Sequence, residues 1–229
     1  MLLFHPMDFV ILIAFGISLW AQWKVSSNFN AWSQVPASSG LSGAEVARMI
    51  LDRNGLYDVP VEVIPGRLTD HYDPISRVVR LSEPVYYGRS IASISVAAHE
   101  VGHAVQHQQS YGALVLRHRM FPIVNFTSGV APFLLLVGFL LHQLSLIGLG
   151  IIFFSFAVAF QLITLPVEFN ASSRAKKFML AEGLIYPDEK RGVNKVLGAA
   201  ALTYVAATLI SVLELLKYVL IFTQSNNDE

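Results

Sequence analysis

Apolar and polar positions separate along this chain into long blocks. Between Arg119 and Glu168 there is no Asp, Glu, Lys or Arg, a gap of 48 residues from Met120 to Val167. At 1.5 Å per residue this is about 72 Å of helix, enough for two crossings of a 30 Å hydrocarbon layer. The gap predicts a transmembrane hairpin over 120–167, turning near His142 and Gln143, which part Phe133 to Leu141 from the run Leu146 to Pro166. A last span is predicted over 196–222, uncharged until Glu214 and Lys217, which stand three residues apart and can pair on one helix face. Block 1–24 contains the apolar stretch Phe9 to Trp23, with no basic residue ahead of it and with Trp20 and Trp23 suited to a membrane interface. It reads as a transmembrane anchor and not a removable leader, with a peripheral interfacial helix as the alternative that its length leaves open.

These spans leave two polar regions, 25–119 and 168–195, and a short tail, 223–229. Two crossings separate the regions, so they face the same side. Lys24 through Arg119 and Arg174 through Lys195 hold every Lys and Arg except Lys217, and the positive-inside rule makes that side the cytoplasm.

Within the first region, Ser26 to Gly40 lacks a sustained hydrophobic period and reads as a linker. Ser42 opens a helix, with Glu45 three residues on as a capping box and Asn54-Gly55 as the stop. Val61 to Ile64 and Arg77 to Leu81 read as strands. The second of these is either an edge able to pair with an extended peptide or an ordinary hairpin strand. A long helix is predicted from Arg89 to Ser110.

Composition narrows the function. The chain is 54% hydrophobic and 14% charged with a mean hydropathy of +0.52, against about 25% charged for a soluble domain. A disordered chain or a plain soluble enzyme is thereby disfavoured. Sixteen Lys and Arg balance sixteen Asp and Glu, so there is no basic excess for nucleic acid. With no Cys, disulfides, thiolate zinc sites and cysteine nucleophiles are excluded. Any metal must be held by His and carboxylates.

The long helix carries His99-Glu100-Val101-Gly102-His103, an H-E-x-x-H pattern. Histidines at i and i+4 lie about 40° apart around a helix, one turn above the other, so both rings reach one zinc ion. Glu100 points sideways from the pair, placed for general-base work and poorly for ligation. Gly102 costs helix stability, which predicts that something approaches its backbone closely. For a third ligand, His107 continues the stripe but lies about 12 Å along the axis from His99. Glu168 is the better candidate, its alternative being an interfacial carboxylate paired with Arg174 or Lys176. His71, Tyr72, Tyr86, Tyr87 and Arg174 are candidate donors to an oxyanion.

The segment Ala98 to Gln106 around this motif, the upstream Leu68-Thr69-Asp70-His71-Tyr72-Asp73-Pro74 and the downstream Pro166-Val167-Glu168-Phe169-Asn170-Ala171-Ser172 resemble the YugP-type membrane zinc metallopeptidases. The similarity extends over nearly the whole chain, span layout included. It implies a neutral, gluzincin-like zinc peptidase with His99, His103 and Glu168 as metal ligands and Glu100 as general base on a zinc-bound water. More distantly the chain resembles the HtpX and CAAX-prenyl endopeptidases, whose third ligand lies in an E-x-x-A-D pattern. Ser172 stands here in place of that Asp, leaving Ser172, Asn170 or a backbone carbonyl to hydrogen-bond the far nitrogen of a ligand histidine.

The expected fold is a mainly α membrane protein with about four transmembrane helices and a small α+β, zincin-like cytoplasmic catalytic region. The expected function is an integral-membrane zinc endopeptidase acting on membrane-associated polypeptides near the cytoplasmic surface. The alternative is a non-catalytic membrane scaffold with a structural zinc. An intramembrane protease of the site-two type fits less well, because Glu83, Arg89, His107, Gln108, Gln109 and Arg117 flank the motif.

Overall fold

The computed structural model describes residues 5–227; the ends of the anchor and tail blocks, 1–4 and 228–229, lie outside them. The chain runs α1 (Pro6–Ser33), α2 (Gly43–Arg53), β1 (Val61–Ile64), β2 (His71–Asp73), β3 (Val78–Ser82), α3 (Glu83–Tyr86), α4 (Ile91–Gln108), α5 (Gly112–Leu140), α6 (Leu144–Ala181) and α7 (Lys190–Asn227). It is mostly helical. Four helices, α1, α5, α6 and α7, are long and apolar enough to cross a membrane.

The described residues form two compact units, one drawn from 5–20, Val115–Leu165 and 203–227, the other from Ala21–Leu114 and Pro166–Leu202. In the first unit, the hairpin between α5 and α6 turns at His142, whose φ of 52° lies in the left-handed region, and the Gln143 amide donates to the Gly138 carbonyl at 2.9 Å. Gly150 is required there: a Cβ on it would stand 2.8 Å from Leu135 Cγ. Phe126 packs on Phe153 and Phe121 on Phe160. Lys217 makes its ion pair with Asp8 of α1, not with Glu214 as the spacing suggested. An ion pair between two helices fixes their register, whereas an i, i+3 contact adds only about 0.2–0.5 kcal/mol to one helix. Phe9, Ile13, Phe126, Phe133 and Leu140 are exposed, and so large an apolar surface suits hydrocarbon and not water.

The second unit has a conventional core. Val46, Ile50 and Leu51 on one face of α2 meet Ile94, Ala97, Ala98, Val101 and Val105 of α4, with Val79, Leu81 and Val85 filling the space beneath. Both partners of the Ser42–Glu45 capping box are made, and α2 stops at Asn54 with Gly55 at φ 72°. Arg48 anchors the loop that follows, donating to Asp52 at 2.9 Å, the Val59 carbonyl at 2.6 Å and the Leu56 carbonyl at 2.8 Å.

The sheet order is β1-β3-β2. Strand β3 pairs in parallel with β1, Val61 opposite Val79, and antiparallel with β2, Tyr72 opposite Val79. The Arg77 to Leu81 strand is therefore central and cannot be an edge for a peptide. Its buried pattern, with Val78, Val79, Leu81 and Ser82 all inside, is what a strand covered on both sides requires. The edges are β1 and β2, and β2 has three residues and no hydrophobic alternation to announce it. Residues 26–33, read above as linker, continue α1, because no Gly or Pro interrupts the chain between Gly16 and Pro36.

Candidate metal centre

Helix α4 is built to present one stripe. Ser90 caps it, its Oγ accepting from the Ser93 amide at 3.2 Å; its C-terminal end closes at Ser110, φ 50°, where the Tyr111 amide donates to the Gln106 carbonyl at 2.9 Å. Ile91, Ile94, Ala97, Ala98, Val101, Ala104 and Val105 are buried, which leaves His99 and His103 a turn apart and half-buried. Their rings meet edge to face with centroids 4.8 Å apart.

Helix α6 brings Glu168 to this pair. Glu168 Oε2 lies 3.4 Å from His99 Nε2 and 3.6 Å from His103 Nε2, and one ligand atom from each residue falls within 4.8 Å of the others. Donors each about 2.0–2.1 Å from one tetrahedral zinc stand about 3.3–3.4 Å apart, so the carboxylate–imidazole separations fit such an ion. Neutral imidazole nitrogens and a carboxylate oxygen are donors zinc accepts. The structure thus joins His99, His103 and Glu168, three residues of the expected site.

Glu100 is buried beside them. Burial pushes its carboxyl above the usual range, and the neighbouring His99 and His103 pull part of that back. For His103, burial alone would lower the ring's pKa, but Glu168, with help from Glu100 and Gln106, holds it raised. Upstream, Asp70 accepts from the Ser82 amide at 2.7 Å and from the Ser82 hydroxyl at 3.0 Å; burial pushes this carboxyl up as well, and the Ser82 donors pull it back in part.

The backbone approach expected at Gly102 comes from α6. A Cβ on Gly102 would sit 2.8 Å from the Ala171 carbonyl oxygen and 3.2 Å from its Cα, and backbone cannot yield as a flexible side chain can. Gly102→Ala is therefore expected to push α6, with Glu168, away from α4. Overpacking of this kind costs about 1–3 kcal/mol, to be read as a lower melting temperature together with reduced zinc content.

The outer partners of the histidines are resolved. Ser172 Oγ lies 3.2 Å from His99 Nδ1, the assignment the sequence allowed for Ser172. On His103, Nδ1 meets Gln106 Oε1 at 3.0 Å, a residue the sequence reading passed over although i+3 on the same helix places it within reach. Asn170 reaches this network through Gln106. His107 is paired with Tyr72, the phenol oxygen standing 2.9 Å from Nδ1, another contact the sequence did not announce. Among the other proposed oxyanion donors, His71 donates to the Thr69 carbonyl at 2.9 Å, Tyr86 and Tyr87 pack against each other, and Arg174 donates to Asn170 and Gln109.

Comparison with known proteins agrees with this geometry. A family model described as "Putative neutral zinc metallopeptidase" matches residues 7–223. The chain belongs to that family. It is 69% identical over 220 residues, 96% of this chain and 98% of the relative, to the "Putative membrane protease YugP" of Bacillus subtilis strain 168. No solved structure matches the chain. The family description and the four apolar helices support a membrane location and a zinc-dependent peptidase.

Proposed function

We propose that this protein is a multi-pass integral-membrane zinc endopeptidase whose zincin-like catalytic region faces the cytoplasm and cleaves peptide bonds near the membrane surface. The observation that carries the reading is the gathering of His99, His103 and Glu168 around one point with the buried, non-ligating Glu100 next to them. Zinc, when bound, supplies Lewis-acid polarisation of the scissile carbonyl and acidifies water. The chain's own residues do the rest. His99 and His103 offer Nε2, Glu168 offers one carboxylate oxygen, and Glu100 accepts a proton from water and returns it to the leaving amine.

Domain roles follow from the charge pattern: an anchor over 1–24, the catalytic region over 25–119, a hairpin over 120–167, the third-ligand segment over 168–195 and a last span over 196–222. Glu168 is the first charged residue after the uncharged run ending at Val167, which favours substrates that are membrane proteins or segments just leaving the bilayer. A structural zinc in a scaffold would take four protein ligands; among the described residues three gather.

The test is metal analysis and peptide cleavage on detergent-purified protein, before and after chelation. Bound zinc, cleavage lost to the chelator and restored by zinc are expected. Absence of zinc, or cleavage indifferent to chelation, would defeat the reading, and cleavage of soluble unfolded proteins alone would defeat the membrane-substrate part.

A further inference from the structure

We infer that Gln106 is a positioning residue that locks the proton of His103 onto Nδ1 and ties that ring to the helix segment bearing Glu168, an inference that rests on the zinc-site reading above. Gln106 is completely buried, with 0% exposure, so each polar atom of its amide must be matched inside the protein. Nε2 donates to the Val167 carbonyl at 2.8 Å and to Asn170 Oδ1 at 3.0 Å. A backbone carbonyl has no hydrogen to give, and Asn170 Oδ1 also accepts from Arg174 Nε at 2.6 Å. Turning the amide over would set Oε1 against two acceptors, so its orientation is fixed.

With the amide fixed, the atom facing His103 is Oε1, which only accepts. His103 Nδ1 must then carry the hydrogen of the 3.0 Å contact, which leaves Nε2, the nitrogen turned toward Glu168, as the one that can give up its proton and accept a metal. Val167 and Asn170 flank Glu168 by one residue before and two after. One side chain therefore sets both the proton position of His103 and the placement of the segment that delivers the carboxylate.

The other ligand histidine is held differently. Ser172 Oγ can donate or accept at its 3.2 Å contact with His99 Nδ1, so the hydroxyl imposes no tautomer. The two histidines are thus unequally prepared for a metal, and their outer partners are unequally costly to lose.

Full-length protein in detergent, as wild type, Gln106→Met, Gln106→Glu and Ser172→Ala, separates these roles. Zinc affinity is read by competition with a chromophoric chelator, and the metal-free histidine tautomers, at a pH high enough to leave the rings neutral, by long-range proton–nitrogen NMR on protein labelled with 15N-histidine. Gln106→Met is expected to weaken zinc binding about 10–100-fold, the usual scale for an outer partner of a ligand histidine, and to mix the His103 tautomers. Gln106→Glu keeps the acceptor and loses the donor, so it should retain the Nδ1–H tautomer while its affinity falls between the two. Ser172→Ala should weaken zinc binding less than Gln106→Met does and leave the His103 tautomer as in wild type.

Wild-type affinity in Gln106→Met, or an equal loss in Ser172→Ala, overturns the inference. So does a wild-type His103 carrying its proton on Nε2, a measurement that needs neither a folded variant nor bound metal. Failure of wild type to bind zinc would instead count against the peptidase reading, with the tautomer measurement still deciding the role of Gln106.

Discussion

Glu100→Gln is expected to abolish peptide cleavage, by about 10²–10⁴-fold, while the protein keeps its full complement of zinc. The substitution conserves shape and removes only the ability to take a proton. Because Glu100 is buried and its carboxyl is held above the usual range, a neutral amide in its place relieves a desolvation penalty instead of creating one. The variant should therefore fold at least as well as wild type, so that lost cleavage reports on chemistry and not on collapse. Zinc content and turnover measured on the same preparation are decisive: equal turnover removes Glu100 from the reaction, and zinc lost together with activity would make it a ligand.

The second large effect is at Glu168. Glu168→Ala leaves two imidazoles facing an open space, and zinc retention after dialysis against a mild chelator is expected to fall to background. The 3.4 Å and 3.6 Å separations from the two Nε2 atoms make this oxygen the third donor that, among the described residues, completes the histidine pair. The substitution also removes the largest of the contacts that hold the His103 pKa up, so that pKa should fall in the variant, with Glu100 and Gln106 still supporting it. Zinc retention unchanged from wild type would strike Glu168 from the ligand set, whatever happened to activity.

The parts legible in the sequence were those set by local chemistry. The capping box at Ser42, the stop at Asn54-Gly55 and the turn near His142 rest on residues whose signals lie within a few positions, and each is formed. The i, i+4 histidines needed only helix geometry. Glu168 was reached through charge patterning, since an uncharged run long enough to cross twice returns the chain to its starting side. What stayed hidden depends on strand order or on contacts between distant segments. Nothing local in His71-Tyr72-Asp73 predicts a strand on β3, and so the centrality of β3 was missed. Gln106 has an ordinary place on α4 until Val167 and Asn170 arrive from α6 to use its amide. Gly102 is the instructive middle case: its presence in a helix announced a close neighbour, but only the packed chain identified Ala171.

The length of α1 bears on how this protein can be handled. Beyond its apolar half, α1 carries Phe29, 3% exposed in the same core as Ile91 and Val193, and Trp32, whose ring occupies the space a Cβ on Gly192 would need. Asn28 donates to the Lys195 carbonyl at 2.9 Å, and Arg67 donates to Asn30. Proteolytic trimming of the first thirty-odd residues would therefore unseat side chains that the metal-bearing unit packs around, leaving an open core in place of a liberated soluble enzyme. The carboxy-terminal end of α1 is a built-in wedge of the metal-bearing unit.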